Sequence, residues 1–192
     1  MTRIDLPTDE RTVRALRCGD FVEIYGVLLT GRDVAHAYLF KELRPEFVER
    51  LKSRFIYHCG PVVKKVKDGW AVLSAGPTTS TREEPYQAKV NQDYGIRGVI
   101  GKGGMGPKTL EGLKAHGAVY LSAVGGAGAV AAACIKKVRT VYMLEEFGVP
   151  DAFWEIEVER FPAIVTMDSH GESLHKKVKE ESETVLKELL KV

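Results

Sequence analysis

Three short segments combine a cation with hydroxyls or glycines: TGRDVAH (30–36), GPTTSTRE (76–83) and IGKGGMGPKT (100–109). Their cations are Arg32, Arg82 and Lys102. An arginine grips a carboxylate through a two-pronged fork, and a lysine adds a point charge. Three such groups brought to one place would suit a small carboxylate or phosphate. The middle segment adds a row of four hydroxyls, Thr78, Thr79, Ser80 and Thr81. Any one of these segments alone has a plainer reading. A single arginine at a helix start is most often solvated or salt-bridged, and glycines can simply permit a turn with positive φ. GKGGMG lacks the GxxxxGK[ST] spacing of a phosphate loop. Gly101, Gly103 and Gly106 match GxGxxG, but no acid follows at the distance a dinucleotide site needs.

The histidines and cysteines offer less. His36 faces the first loop if a helix starts near Asp33. His58 and His116 read as structural or exposed. Asp168 and His170 in MDSHG form either an acid–base pair or a turn led by Asp-Ser. No HxH or HExxH pair exists, so zinc is not indicated. Cys18, Cys59 and Cys134 are far apart and form no CxxC pair, so this chain holds no local iron–sulfur or zinc motif.

Each of the three segments follows an apolar run and precedes a helical pattern. In α/β sheets that is where ligands gather, beside helix N-termini with free N–H groups. Thr8 is expected to cap a helix over about 9–16. FVEIYGVLLTG reads as a strand or hairpin, RDVAHAYLFKELR as a helix, and PEFVERLKSRF as a second helix with Pro45 at its first position. IYHCGPVVKKV and GWAVLSAG are strand-like and joined at Asp68-Gly69, a hairpin signal. EEPYQAKVNQDYG reads as a helix, RGVIGKGGM as a strand, PKTLEGLKAHG as a helix and AVYLSAVGG as a strand. Small residues predict a further helix from about 127 past 138, and GGAGA suggests close packing at its start. FWEIEVERFPAIVTM alternates as a strand does. SLHKKVKEESETVLKELLKV is an amphipathic helix with Leu174, Val178, Val185 and Leu189 on one stripe, expected to pack on its own domain, with a partner as the alternative. The sum is a mixed α/β chain, read as one domain over 1–192.

Composition excludes some classes. The chain is 44% hydrophobic and 28% charged, so it can bury a core behind an ordinary soluble surface. A net charge of +2, with no basic block, gives no sign of a nucleic-acid partner. The longest apolar run, 118–135, is short for a bilayer, so no membrane partner is expected. The charged start, MTRIDLPTDERTV, and the odd cysteine count fit a cytoplasmic setting.

GRDVAH, GPTTSTR and GKGGM in this order, followed by VTMDSHGESLH, resemble the β subunit, or C-terminal domain, of class I fumarate hydratases. The L-tartrate dehydratase β subunit shares the pattern. The resemblance runs from about Leu6 to the final helix. It implies a swivelling β/β/α fold and a hydro-lyase that interconverts (S)-malate and fumarate. It also implies a [4Fe–4S] cluster whose cysteines belong to an α subunit, with the site formed where the two chains meet in an α2β2 assembly. By matching motifs, Arg32, Arg82 and Lys102 would hold the dicarboxylate, Thr78 would be the candidate base, and His36 would stand behind them. The chain departs from the pattern beside the arginine, with Thr81 before Arg82 and Glu83 after it. The near alternative is the tartrate dehydratase subunit. A small-anion-binding module without catalysis is an alternative of another class.

Overall fold

Strand alternation builds the centre of the molecule, and the computed structural model describes it over residues 1–190. Nine strands run in chain order: β1 (Thr2–Asp5), β2 (Phe21–Thr30), β3 (Phe55–Tyr57), β4 (Val62–Val66), β5 (Gly69–Ser74), β6 (Gly98–Gly101), β7 (Val119–Ser122), β8 (Ile135–Tyr142) and β9 (Phe153–Met167). Seven form one sheet in the order β1-β2-β3-β6-β7-β9-β8, and β2 also pairs with β9. That extra pairing closes β2, β3, β6, β7 and β9 into a small barrel. Strands β2, β3, β6 and β7 are mutually parallel, while β9 runs antiparallel to β2 and β7.

Successive side chains point to opposite faces of a strand. Accordingly Ile24, Leu28, Phe55, Tyr57, Ile100, Leu121 and Ile156 fill the inner core. Leu29, Ile56, Val99 and Tyr120 face the other way, into a second core. Helices α2 (Asp33–Lys41), α3 (Pro45–Leu51), α4 (Gln87–Tyr94) and α5 (Pro107–His116) contribute Leu39, Leu51, Val90 and Leu113 to that second core. The mixed α/β architecture is the one the sequence predicts.

Several boundaries differ from expectation. Helix α1 (Glu10–Arg14) is capped by Asp9, whose carboxylate accepts from the Thr12 N–H at 2.7 Å, and not by Thr8. IYHCGPVVKKV is two strands, with His58–Pro61 as the loop between them; β4 and β5 form a separate hairpin. Strand β1 was not anticipated. The helix expected past residue 138 ends early: α6 is only Gly128–Ala133, and IKKVRTVY is the edge strand β8. Its β-branched Ile135, Val138, Thr140 and Val141 fit a pleated surface, and pairing with β9 outweighs the local helix signal. Gly128 does pack closely, against Ser74 and Gly76.

Two helices remain, α7 (Leu144–Phe147) and α8 (Leu174–Leu190). Helix α8 contains no buried residue. Val178, Val185 and Leu189 are exposed, the last at 74%, so the apolar stripe does not pack on its own core. No described helix is long and apolar enough to cross a membrane.

Candidate functional site

Because β2, β3, β6 and β7 are parallel, their carboxyl ends lie along one edge, at Thr30, Tyr57, Gly101 and Ser122. Backbone hydrogen bonds lace the following loops together. Gly31 N–H donates to Tyr57 at 2.9 Å, His58 N–H to Ile100 at 2.8 Å, and Ala123 N–H to Gly101 at 2.8 Å. The hydroxyl loop lies across this edge. Thr78 N–H donates to the His58 carbonyl at 2.8 Å, Ser80 N–H donates to the Lys102 carbonyl at 3.1 Å, and Thr79 pairs with Lys102 as a parallel bridge. Thr78 and Lys102 are thus fixed to each other through two residues. The approach is close: a Cβ on Gly101 would lie 1.9 Å from Ser80 Oγ. Gly103 and Gly104 then turn the chain at φ +81° and +76°, a region that glycine occupies without strain.

The cations differ in their freedom. Arg32 passes over Gly60, and its Nε lies 3.4 Å from Asp151 Oδ1, with the two side chains 24% and 21% exposed. It is therefore partly engaged. Arg82 is exposed at the end of the short 3₁₀ turn Ser80–Arg82, and Lys102 is half-buried. Neither forms an ion pair among the described residues.

Helix N-termini contribute less to this edge than the sequence suggests. The hydroxyl loop opens into the 3₁₀ turn, and α4 starts only at Gln87. The start of α5 is already occupied: Glu84 accepts from Gly106 N–H at 2.7 Å, Thr109 N–H at 3.3 Å and the Thr109 hydroxyl at 2.7 Å. An anion at this edge would be held chiefly by side-chain cations and hydroxyls, beside the N-terminus of α2, which no side chain caps.

Beneath the loop lies a buried polar layer of which the sequence reading singles out only His36. Gln87 Nε2 donates to Asn91 Oδ1 at 2.8 Å, which turns the Gln87 oxygen toward His58 Nε2, also at 2.8 Å. His58 Nε2 therefore carries the proton, and Nδ1 accepts from the Ser80 hydroxyl at 2.8 Å. Ser80 in turn accepts from the Tyr120 hydroxyl at 2.9 Å. Burial, then the neighbouring His36, lowers the His58 pKa well below the usual imidazole value. His36 is fully buried, edge-on to His58 at 4.9 Å between ring centroids, with Nδ1 2.8 Å from the Arg32 carbonyl. Desolvation lowers its pKa to about 4, so it is a neutral prop behind Arg32. Glu83 is buried too, with Oε2 3.9 Å from His58 Nδ1. Sequence patterns carry no mark of that burial.

The remaining sequence candidates are structural. Asp168 accepts from the backbone N–H groups of His170 at 2.9 Å, Cys18 at 3.1 Å and Glu172 at 3.1 Å. Burial pushes its pKa up, but these donors hold it below the usual carboxylate range. Of the two readings of Asp168, the turn is the observed one; His170 Nε2 lies 2.8 Å from the Arg14 carbonyl. The cysteines do not fit an iron–sulfur cluster. They lie in three separate connections between elements, and burial pushes the Cys59 and Cys18 thiols up to about 12 and about 11, away from the thiolate that iron needs. Among the described residues no three His, Cys, Asp or Glu side chains form a metal-holding group.

A barrel-centred α/β domain with its loops laced together along one strand edge is the class of protein that the structure defines. Comparison with known proteins makes this specific: the family described as Fumarase C-terminus matches residues 1–178, and the chain belongs to it. A Geobacillus stearothermophilus protein named as a class I fumarate hydratase is 51% identical over 180 residues, covering 93% of this chain and 34% of its own length. The chain thus spans about a third of that relative. A Methanocaldococcus jannaschii protein named as L(+)-tartrate dehydratase subunit beta is 40% identical over 184 residues, 94% of each chain. The Escherichia coli K12 L(+)-tartrate dehydratase subunit beta is 36% identical over 169 residues, 88% of this chain and 83% of its own. The relatives are hydro-lyases by name.

Proposed function

We propose that this chain is the β subunit of a hydro-lyase that interconverts (S)-malate and fumarate plus water. Arg32, Arg82 and Lys102 bind the substrate carboxylates, and Thr78 handles the C3 proton. A catalytic centre shared with an α subunit, which holds a [4Fe–4S] cluster, completes the enzyme in an α2β2 assembly. The observation that supports this reading is the backbone lacing of Thr78 to His58 and of Ser80 to Lys102, by which the hydroxyl loop and the loop that bears Lys102 meet at one strand edge.

Removing the C3 proton of malate leaves a dianionic aci-carboxylate. Cations already in place lower the energy of that charge without reorganising. A threonine hydroxyl is a poor base at its ordinary pKa, so Thr78 needs Lys102 or an arginine nearby, or passes the proton through water. Fixing Thr78 through its backbone keeps the hydroxyl at a set distance from the bound carboxylate.

The test is co-expression with the α subunit and anaerobic assay of fumarate, malate and tartrate. Cluster-dependent turnover of malate supports the reading. Turnover of tartrate alone moves the chain to the tartrate dehydratase reaction, and tight anion binding without any partner replaces the enzyme with a binding module. Thr78→Ala is expected to lower kcat by about 10²–10⁴, and near-normal turnover would remove Thr78 from the chemistry.

A further inference from the structure

Glu83 has no role in the function proposed above, yet its position is unusual. Its side chain is fully buried, and neither carboxyl oxygen has a hydrogen-bond partner among the described residues. A buried carboxylate without donors is costly, so such a group is held neutral or compensated. The charged and titratable groups around it come from several elements. Arg32 and Asp33 lie at the start of α2, His58 follows β3, and Tyr120 comes from β7. His36 on α2 stands against His58, and Arg82 precedes Glu83 in its own loop. His58 gives it no positive charge, because its Nδ1 is taken by the Ser80 hydroxyl. Neither arginine forms an ion pair with Glu83; Arg32 pairs with Asp151 instead.

We propose that Glu83 is a positioning residue for the dicarboxylate, protonated while the ligand sits on Arg32 and Arg82, and competing for both guanidiniums once ionised. This rests on the substrate-binding roles given to those arginines above. A neutral Glu83 leaves both cations to the ligand. An ionised one sets a further negative charge beside a bound dianion, and like charges in one site cannot all stay ionised. Burial first, and then Asp33, push the Glu83 pKa up to about 7, against the pull of Arg82 and Arg32. The exchange of the proton therefore falls near neutral pH.

The experiment uses the complex with the α subunit and measures KM for malate from pH 6 to pH 8, in wild type and in Glu83→Gln. Wild-type KM is expected to rise about fivefold over this range, as a one-unit shift of a midpoint near 7 requires, with kcat changing less. The Gln variant, shaped like the neutral acid, is expected to stay flat. A ¹³C titration of the Glu83 carboxyl in the wild-type complex gives an independent readout: malate is expected to raise the midpoint by about one unit. A flat wild-type profile with an unmoved midpoint overturns this inference alone. No binding of malate, fumarate or tartrate at any pH overturns the functional reading along with it.

Discussion

Glu83 and Glu84 are neighbours in sequence and meet opposite surroundings. Glu84 reaches the first turn of α5 and accepts three hydrogen bonds there. Glu83 turns inward beneath the hydroxyl loop and accepts none. One carboxylate joins two elements; the other is buried under the strand edge with no donor to either oxygen. The contrast shows that donors, more than burial as such, decide what an acidic side chain does in a fold.

The largest stability effect should come from Glu83. Its folded pKa is raised above the unfolded value, so its favourable contribution is fully present below about pH 4.5. That contribution is lost as pH rises through about 7. The loss amounts to about 2–3 kcal/mol. Denaturant titrations of Glu83→Gln at pH 5 and pH 8 should lack this slope; an unaltered slope would show that Glu83 has found a donor. Glu84→Ala is expected to cost about 1–2 kcal/mol at pH 7 through the uncapped start of α5. Wild-type stability would mean the cap is dispensable. Thr109→Ala, which removes one of the three donors, should cost about 1 kcal/mol, and a cost equal to that of Glu84→Ala would break the separation between them.

Much of this was legible in the sequence. Alternating apolar residues marked β2 and β9, Pro107 and Gly117 bracketed α5, and the order of three polar loops located the strand edge. What escaped depended on distant pairing. The alanines before Cys134 promise a helix, but β9 recruits Ile135–Tyr142 as a strand. Strand β1 exists through its register with β2, such as Ile4 opposite Ile24. Amphipathic spacing in α8 correctly gave a helix, but its stripe stays exposed where packing on its own domain was expected, because spacing fixes a face and not what covers it. In the row Thr78–Thr81, the separate duties of Thr78 and Ser80 come from where His58 and Lys102 lie, 20 and more residues away in sequence.

The most direct measurement is kcat/KM for malate in the complex with the α subunit, for wild type and Arg82→Ala. Loss of a charge-assisted carboxylate contact worth about 1.5–3 kcal/mol predicts a fall of about 10- to 150-fold. An unchanged kcat/KM would make Arg82 a solvated surface residue and contradict the anion site at this strand edge.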